Sequence, residues 1–249
     1  MNSTIETMLN HRSIRSFDDK PLTDEQIEAI VKSAQAASTS SYVQAYSIIG
    51  VTDKEKKRQL AEVAGNQSYV EENGHFFVFC ADLYRHELMG SFEDKDVIPA
   101  VESTEKFMVA LIDASLAAQN AAIAAESLGL GICYIGGIRN NLNEVASILG
   151  TPNRVIPLFG MAVGYPGNHS SQKPRLPMEH VYHQNVYQQD EKQYINQLKD
   201  YNEVISAYYQ ERTGGKRNDR WTEQISQMLE KKSRMYMKEF VESKKMNLR

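Results

Sequence analysis

The stretch TEKFMVALIDASLAAQNAAIAAESL, residues 104–128, decides the fold of this chain. After its first turn it consists almost wholly of Ala, Leu, Ile, Met and Val, interrupted by a few polar residues that include Asp113, Asn120 and Glu126. A helix that is apolar on most sides is buried at the centre of a larger unit, and its alanines let a second helix approach closely. We therefore predict a central helix over Thr104–Leu128, and we expect part of it to form a dimer interface.

Shorter segments on both sides of this helix alternate between strand and helix patterns. Thr23 followed by Gln26 forms a capping box at the start of a helix. The run HFFVFCA at 75–81 is continuously apolar, which is typical of a strand buried on both faces. This alternation predicts an α/β or α+β fold with a mixed sheet. The predicted segments are a helix at 24–36, a strand at 45–52, a helix at 53–64, strands at 75–81 and 131–135, a helix at 141–149 and a strand at 156–163.

The composition changes after about residue 178, where Gln, Tyr, Asn and Asp become frequent. We predict two further helices at 203–212 and 222–241, joined by the basic turn at 213–217. This polar tail carries too little apolar surface for a core of its own. We therefore expect residues 1–177 to form the core and residues 178–249 to form an extension of the same domain that wraps the core or a partner subunit.

The overall composition excludes several classes of protein. The 249 residues carry a net charge of −4, which provides no electrostatic footprint for nucleic acid. Cys80 and Cys133 each lie in an apolar run and are expected to be reduced and buried, and no Cys/His spacing indicates a metal site. No apolar signal core and no membrane-spanning stretch is apparent, so we expect a cytoplasmic protein without membrane contact.

The segment His11–Phe17, HRSIRSF, is the first candidate for chemistry. It combines two guanidiniums, an imidazole and two hydroxyls, a set of donors that suits a ligand with a phosphate and a flat polar edge. In an extended run His11, Ser13 and Arg15 would share a face while Ile14 packs inward. The alternative is a solvated basic helix end that offsets the helix dipole.

Two further segments have both a functional and a structural interpretation. Lys173-Pro174-Arg175 is held extended by its prolines and would suit an anion, but it is equally a rigid surface linker. Tyr134-Ile135-Gly136-Gly137 ends a predicted strand, where glycines let backbone N–H groups approach a flat ligand or simply make a turn. The dinucleotide fingerprint, the P-loop, the zinc-protease motif and the serine nucleophile elbow are all missing from the sequence.

Taken together, these motifs resemble those of the FMN-dependent nitroreductase superfamily. The likeness rests on HRSIRSF, on STSSYVQAYSII at 38–49, on GNQ at 65–67, on AAESLGLGICYIGGIRN at 124–140 and on KPRLP at 173–177. It extends into the tail through ERTGGKR and the distant Trp221. The sequence is most similar to the larger NADPH-preferring group of bacterial flavin reductases and oxygen-insensitive nitroreductases.

The resemblance implies an α+β fold with a mixed sheet, built as an intertwined homodimer that binds FMN at its interface. The implied flavin contacts are His11 toward the phosphate, Arg12, Ser13, Arg15 near the N1/O2 edge, Ser38, Thr39, Ser40 and Ser41 from across the dimer, Gln67 on the pyrimidine side, Tyr134, Ile135, Gly136 and Gly137 as a wall, and Lys173 and Arg175 as a phosphate clamp. The implied contacts to NADPH are Arg212, Arg234 and, for its 2′-phosphate, Arg217.

The resemblance also implies an enzyme that passes two electrons from NADPH through FMN to a small acceptor in a ping-pong sequence. The implied acceptors are free flavin, nitroaromatics, quinones or azo dyes. Hydride transfer of this kind needs no catalytic acid or base on the protein, and no metal. Two alternatives remain: a flavin-consuming or dehalogenating member of the superfamily, and a flavin-binding redox sensor without turnover.

Overall fold

The computed structural model describes residues 2–168 and 171–249. They form two compact units, one made of Met1–Ser170 with Arg234–Arg249 and the other of Ser171–Ser233. The helices are α1 (Ser3–Leu9), α2 (Asp24–Gln35), α3 (Lys54–Val63), α4 (Ser68–Glu71), α5 (Tyr84–Phe92), α6 (Ile98–Val101), α7 (Thr104–Ser127), α8 (Leu142–Leu149), α9 (Glu191–Arg212), α10 (Trp221–Glu230) and α11 (Met237–Ser243). Short 3₁₀ turns lie at Ser40–Tyr42, Gly136–Asn140 and Met178–His180.

The sheet of the first unit has four strands in the order β1-β2-β4-β3. The strands are β1 (Tyr46–Val51), β2 (His75–Asp82), β3 (Gly131–Ile135) and β4 (Val155–Gly164). All three pairs are antiparallel. Parallel pairing among the described residues is limited to an isolated bridge between Ser13 and Ile132, so the mixed character of the α+β sheet is confined to that bridge.

Helix α7 is the centre of the first unit, as predicted. All of its alanines but Ala124 are buried, and those of its second half share one apolar cluster with Ile30 of α2 and with Phe77 and Phe79 of β2. By length and composition alone α7 could cross a membrane, which the sequence analysis did not expect. Its buried alanine surface is that of a core helix, because small side chains allow sheet and helix to approach closely.

The other predicted elements of the first unit are confirmed to within about two residues. The capping box at Thr23 and Gln26 is present in both directions, and every residue of β2 is buried. Helices α4, α5 and α6 were not predicted. Arg85 lies among the apolar residues of α5, and three of these residues, Leu88, Met89 and Phe92, are exposed.

The end predicted at Arg212 and the start predicted at 222 are confirmed to within one residue, but the start of the first tail helix and the continuity of the second are wrong. Helix α9 begins at Glu191 rather than at residue 203, because Asp190 accepts hydrogen bonds from the N–H groups of Lys192 and Gln193 and so caps an earlier start. The predicted helix at 222–241 is divided into α10 and α11, between which Arg234 has a φ of +56°.

The first unit also includes the last residues of the chain. Phe240 of α11 and the nearby Met246 are buried in its core cluster. The tail from residue 178 onward is therefore divided between the two units. How the second unit is placed against the core or a partner subunit stays a prediction.

Arg154 is a buried charge that fastens the C-terminal segment to the first unit. Its side chain is 2% exposed, and its Nε donates to Glu87 Oε2 at 2.7 Å. Its Nη2 donates to Glu102 Oε1 at 3.2 Å, and its Nη1 donates to the Lys245 carbonyl. Arg249 donates to the second oxygen of Glu102 at 2.7 Å. The guanidinium is thus paired on all sides, as burial of a charge requires.

We expect Arg154→Ala to lower the free energy of unfolding by about 2–4 kcal/mol, because the buried side chain loses its ion pairs with Glu87 and Glu102, its hydrogen bond to the Lys245 carbonyl and its packing. Urea unfolding followed by circular dichroism measures this change. Arg58→Ala is the matched control, since Arg58 pairs with Glu55 and Glu62 on an exposed surface and its loss should change stability little. Equal effects of the two substitutions would contradict the role of Arg154.

His75, the first residue of β2, is buried without a hydrogen-bond partner. It is 6% exposed, and neither ring nitrogen has a partner among the described residues. A Cβ at Gly50 would lie 2.7 Å from its Nε2, which explains why β1 carries a glycine there. Burial, helped by the nearby Lys57, lowers the pKa of His75 to about 4.

Since the pKa of His75 is lower in the folded state than the roughly 6.5 of an unfolded chain, the unfolded state binds more protons between these values. The contribution of His75 to stability is therefore complete above pH 6.5 and is lost as the pH falls through 6.5 toward about 4. His75→Phe should reduce the decline in urea stability between pH 7 and 5. Parallel pH profiles for the variant and the wild-type protein would contradict this assignment.

Candidate cofactor site

The segment His11–Phe17 lies extended along β3. The Ile14 N–H donates to the Ile132 carbonyl at 2.9 Å, and Ser13 forms the parallel bridge to the same residue. Ile14 is 4% exposed and contacts the backbone at Gly131, where a Cβ would lie 2.7 Å from it. The inward packing of Ile14 is confirmed. Helix α1 ends at Leu9 and has no basic residue in its last turn, so the basic residues of the segment lie outside the helix.

His11 and Arg12 lie near the end of the central helix. His11 Nδ1 is 2.7 Å from Oε1 of Glu126, and both side chains are largely buried. This contact fixes the orientation of the imidazole ring. Nδ1 donates its proton to the carboxylate in a hydrogen bond, and Nε2 can bind another partner. Arg12 lines a cavity of about 420 Å³ between α1 and the start of β3, together with Asn10 and Glu126. Glu126 was not predicted as a site residue.

A second cluster brings Ser13, Arg15 and Gln67 to one side of β3. The Tyr69 hydroxyl donates to Gln67 Oε1 at 2.9 Å, and Arg15 lies close enough to the same hydroxyl to lower its pKa. Burial raises the pKa of Tyr69, and Arg15 opposes that shift. Burial also raises the pKa of the Cys133 thiol, which Arg15 and a hydrogen bond with Ser13 oppose. The HRSIRSF and GNQ motifs thus meet here.

Tyr69 joins the two motifs but was not predicted. The signal available in the sequence was its position two residues after Gln67, which allows both side chains to point to the same region. Arg15 is exposed, so its positive charge is available to a ligand at this position. An amide, a phenol and a guanidinium side by side can bind the polar edge of a flat ring.

The glycine pair follows β3 directly, in the 3₁₀ turn Gly136–Asn140. A Cβ at Gly137 would lie 2.5 Å from the Ala64 carbonyl oxygen, so close packing against the end of α3 already requires this glycine. Asn140 Nδ2 donates to the Val63 carbonyl at 3.0 Å and holds the same turn. Packing against the end of α3 therefore requires Gly137, in addition to the predicted role of this turn as a wall of the cofactor site.

Tyr134 and Ile135 lie on opposite faces of β3. The Tyr134 hydroxyl donates to the Ala118 carbonyl of α7 at 2.7 Å, and burial raises its pKa. Ile135 and Cys133 belong to the apolar cluster of the other face. Cys133 is the neighbour of Arg15, so it is this second face, and not the Tyr134 ring, that lies beside the Arg15 cluster.

The hydroxyl loop Ser38–Gln44 is bound to α7 and α5. Asp113 accepts the backbone N–H groups of Ser40 and Ala45 at 2.9 Å and 3.0 Å, and His86 Nε2 lies 2.8 Å from the Val43 carbonyl. Ser38 and Ser41 are exposed, whereas Thr39 and Ser40 are half-buried. The contacts described for this loop do not include the Arg15 cluster of the same chain.

Lys173 and Arg175 lie in the second unit, both toward helix α9. Lys173 Nζ is 5.5 Å from the centre of the Tyr209 ring. Arg175 is close enough to Tyr201 to oppose the rise in its pKa that burial causes, and the Tyr201 hydroxyl donates to the Pro174 carbonyl at 2.9 Å. The position of this pair relative to His11 and Arg15 stays a prediction.

The three arginines predicted to bind NADPH have different partners. Arg217 pairs with Asp219, its Nε lying 2.9 Å from Oδ2, and its guanidinium lies 4.3 Å from the centre of the Tyr209 ring. Arg212 donates to the Tyr208 hydroxyl at 2.7 Å. Arg234 donates to Asn140 Oδ1 through Nε and Nη2, at 3.1 Å and 2.9 Å. Of the three, only Arg217 has a carboxylate partner within the described part of the chain.

Trp221 is the first residue of α10 and packs edge-on against Tyr201, with ring centroids 5.5 Å apart. It therefore anchors α10 to α9.

The comparisons with known proteins show the family. The sequence pattern of the nitroreductase family matches residues 8–165, and that of the nitroreductase family C-terminal domain matches residues 173–249. The chain belongs to the nitroreductase family. This membership confirms the resemblance inferred from the sequence.

Relatives and solved structures cover nearly the whole chain. The FMN reductase (NADPH) of Bacillus subtilis is 59% identical over 99% of each chain, and an NADPH-dependent oxidoreductase of Staphylococcus aureus is 46% identical over 92% of each. The structure of NfrA1 from B. megaterium superposes with a TM-score of 0.98 at 63% identity, covering 99% of this chain and 100% of that one. The NADPH:FMN oxidoreductase of Vibrio harveyi has a TM-score of 0.90 at 40% identity, with full coverage of both chains. The nitroreductase fold is confirmed.

Proposed function

We propose that this protein is an FMN-containing, NADPH-dependent oxidoreductase that acts as a flavin reductase or nitroreductase. The observation that carries the proposal is the meeting of Ser13, Arg15 and Gln67 beside β3 in a member of the nitroreductase family. The names of the relatives, FMN reductase (NADPH) and NADPH-dependent oxidoreductase, support the same activity.

The residues present fit FMN by the chemistry of their donors. An isoalloxazine ring has a flat face and an edge of carbonyl and nitrogen acceptors, and Arg15, Gln67 and Tyr69 offer a guanidinium, an amide and a phenol in one place. The phosphate requires cationic donors, and His11 and Arg12 lie in the same extended segment. In this proposal Lys173 and Arg175 complete the phosphate site.

FMN, when bound, would accept a hydride from NADPH and pass two electrons to the acceptor. The protein would hold the ring and adjust its electrostatics. Arg15 would place a fixed positive charge at the N1/O2 edge, where it stabilises negative charge, and Tyr69 would keep the guanidinium and Gln67 in position. Glu126 would orient His11 toward the phosphate.

The proposed functional unit is a homodimer in the cytoplasm. Helix α7 carries an exposed apolar row, Met108, Ile112 and Leu116, in which each residue is about half exposed. These residues lie four apart and so occupy one face of the helix. A second copy of this chain on that face would remove the apolar row from water, and the loop at 38–41 would then supply hydroxyls to the partner's FMN.

The proposed acceptors are small oxidants, namely free flavin, nitroaromatics, quinones or azo dyes, and we propose no role for nucleic acid or a membrane.

One anaerobic titration of the oxidised protein with NADPH, read by visible absorbance, tests the activity. We expect a yellow protein whose flavin absorbance bleaches within the mixing time and returns when an acceptor is added. A colourless protein that takes up no FMN would contradict the proposal, and a bound flavin that NADPH does not bleach would indicate a redox sensor without turnover.

Preference for NADPH over NADH should depend on the arginines that lack a carboxylate partner. We expect Arg212→Ala to raise KM for NADPH on the order of tenfold and to leave KM for NADH nearly unchanged, because the 2′-phosphate loses a charge-assisted hydrogen bond. Arg220→Ala is the matched control, since Arg220 is exposed, pairs with Glu223 and has no predicted contact to NADPH. Equal increases for both nucleotides would rule out a 2′-phosphate role for Arg212.

A further inference from the structure

Asp113 is a carboxylate with no exposed surface in the middle of the apolar helix α7. Both of its oxygens are used, and both face the same loop. Oδ1 accepts the N–H of Ser40 at 2.9 Å and Oδ2 accepts the N–H of Ala45 at 3.0 Å. One side chain therefore holds the two ends of the segment Ser40–Ala45.

The segment between these two bonds has an unfavourable backbone. Ser41, Tyr42 and Gln44 have φ values of 48°, 60° and 55°, in the left-handed region that residues other than glycine rarely adopt. Such a conformation persists only where its surroundings determine it. The near contact of His86 Nε2 with the Val43 carbonyl, at 2.8 Å, is a third point at which the loop is held.

The bonds of Asp113 do not serve the helix on which it lies. A buried carboxylate is costly unless its hydrogen bonds are made, and an apolar residue of similar volume is commonly at least as stabilising. The two bonds described for Asp113 both go to the loop and none to α7. Asp113 therefore stabilises the backbone conformation of the loop and not the helix that carries it.

We propose that Asp113 is a positioning residue that fixes the backbone of the loop Ser38–Gln44, so that the hydroxyls of this loop are presented to the flavin in one arrangement. This role rests on the proposed function, which assigns Ser38, Thr39, Ser40 and Ser41 to FMN. Asp113 itself does not touch the cofactor. It acts through the N–H groups of Ser40 and Ala45.

Asp113→Asn tests the role with almost no change in volume, because the amide can accept one of the two N–H groups but presents its own N–H₂ to the other. Ser115→Ala is the matched control, since Ser115 lies on the same helix, is exposed and donates only to Leu111 of that helix. Two properties are measured on the full-length protein: hydrogen exchange of the peptide that contains 38–45, and the dissociation constant for FMN from flavin fluorescence.

We expect exchange of the loop amides to become at least about tenfold faster in Asp113→Asn, while β2 keeps its protection, and FMN to bind about tenfold more weakly. Ser115→Ala should change neither property. Unchanged exchange in the loop would overturn the proposal, and so would faster exchange with unchanged FMN affinity.

Two further outcomes distinguish failure of the positioning role from failure of the variant to fold and from failure of the proposed function. If Asp113→Asn does not fold, exchange in the wild-type protein decides: slow exchange at Ser40 and Ala45 beside fast exchange at Ser41 and Gln44 supports the role, and uniformly fast exchange overturns it. If the wild-type protein takes up no FMN, the proposed function fails as well. If the wild-type protein binds FMN and Asp113→Asn binds it with the same affinity, the positioning role fails but the proposed function does not.

Discussion

The burial of helix α7 is the constraint on which the rest of the first unit depends. Its alanine surface packs against the sheet and against α2, so the two polar side chains that lie among these contacts, Asp113 and Asn120, have little access to water. Each of them must find a partner in a neighbouring segment. Asp113 binds the loop at Ser40 and Ala45, and Asn120 Nδ2 donates to the Ser33 carbonyl at the end of α2.

The same helix therefore sets the positions of the segments around the candidate site. Glu126 at its end holds His11, and its Ala118 carbonyl accepts the Tyr134 hydroxyl. Each contact places one predicted segment against a rigid element, as a precise binding site requires. The tyrosine link between Arg15 and Gln67 is the exception, because it joins two loops without α7.

Much of the core could be predicted because its signals are local. The alanine run, the capping box at Thr23 and the apolar β2 each identify an element within a few residues of sequence. The tail could not be divided correctly, because the break between α10 and α11 depends on Arg234 in a left-handed conformation and on the packing of Phe240 into the distant core. Glu126 and Asp113 were missed as site residues because their partners are remote in sequence. Tyr69 was missed because a single tyrosine near Gln67 is not a distinctive sequence signal. The assignment of FMN came from ordered motifs, which encode a family more strongly than periodicity does.

A crystal structure of the purified protein with FMN would show whether these segments form the flavin site. We expect two copies of the chain, with the polar edge of the isoalloxazine against Arg15 and Gln67 of one copy and hydroxyls of the 38–41 loop supplied by the other. A flavin bound away from β3, or a site in which the loop held by Asp113 lies far from any flavin, would contradict this expectation.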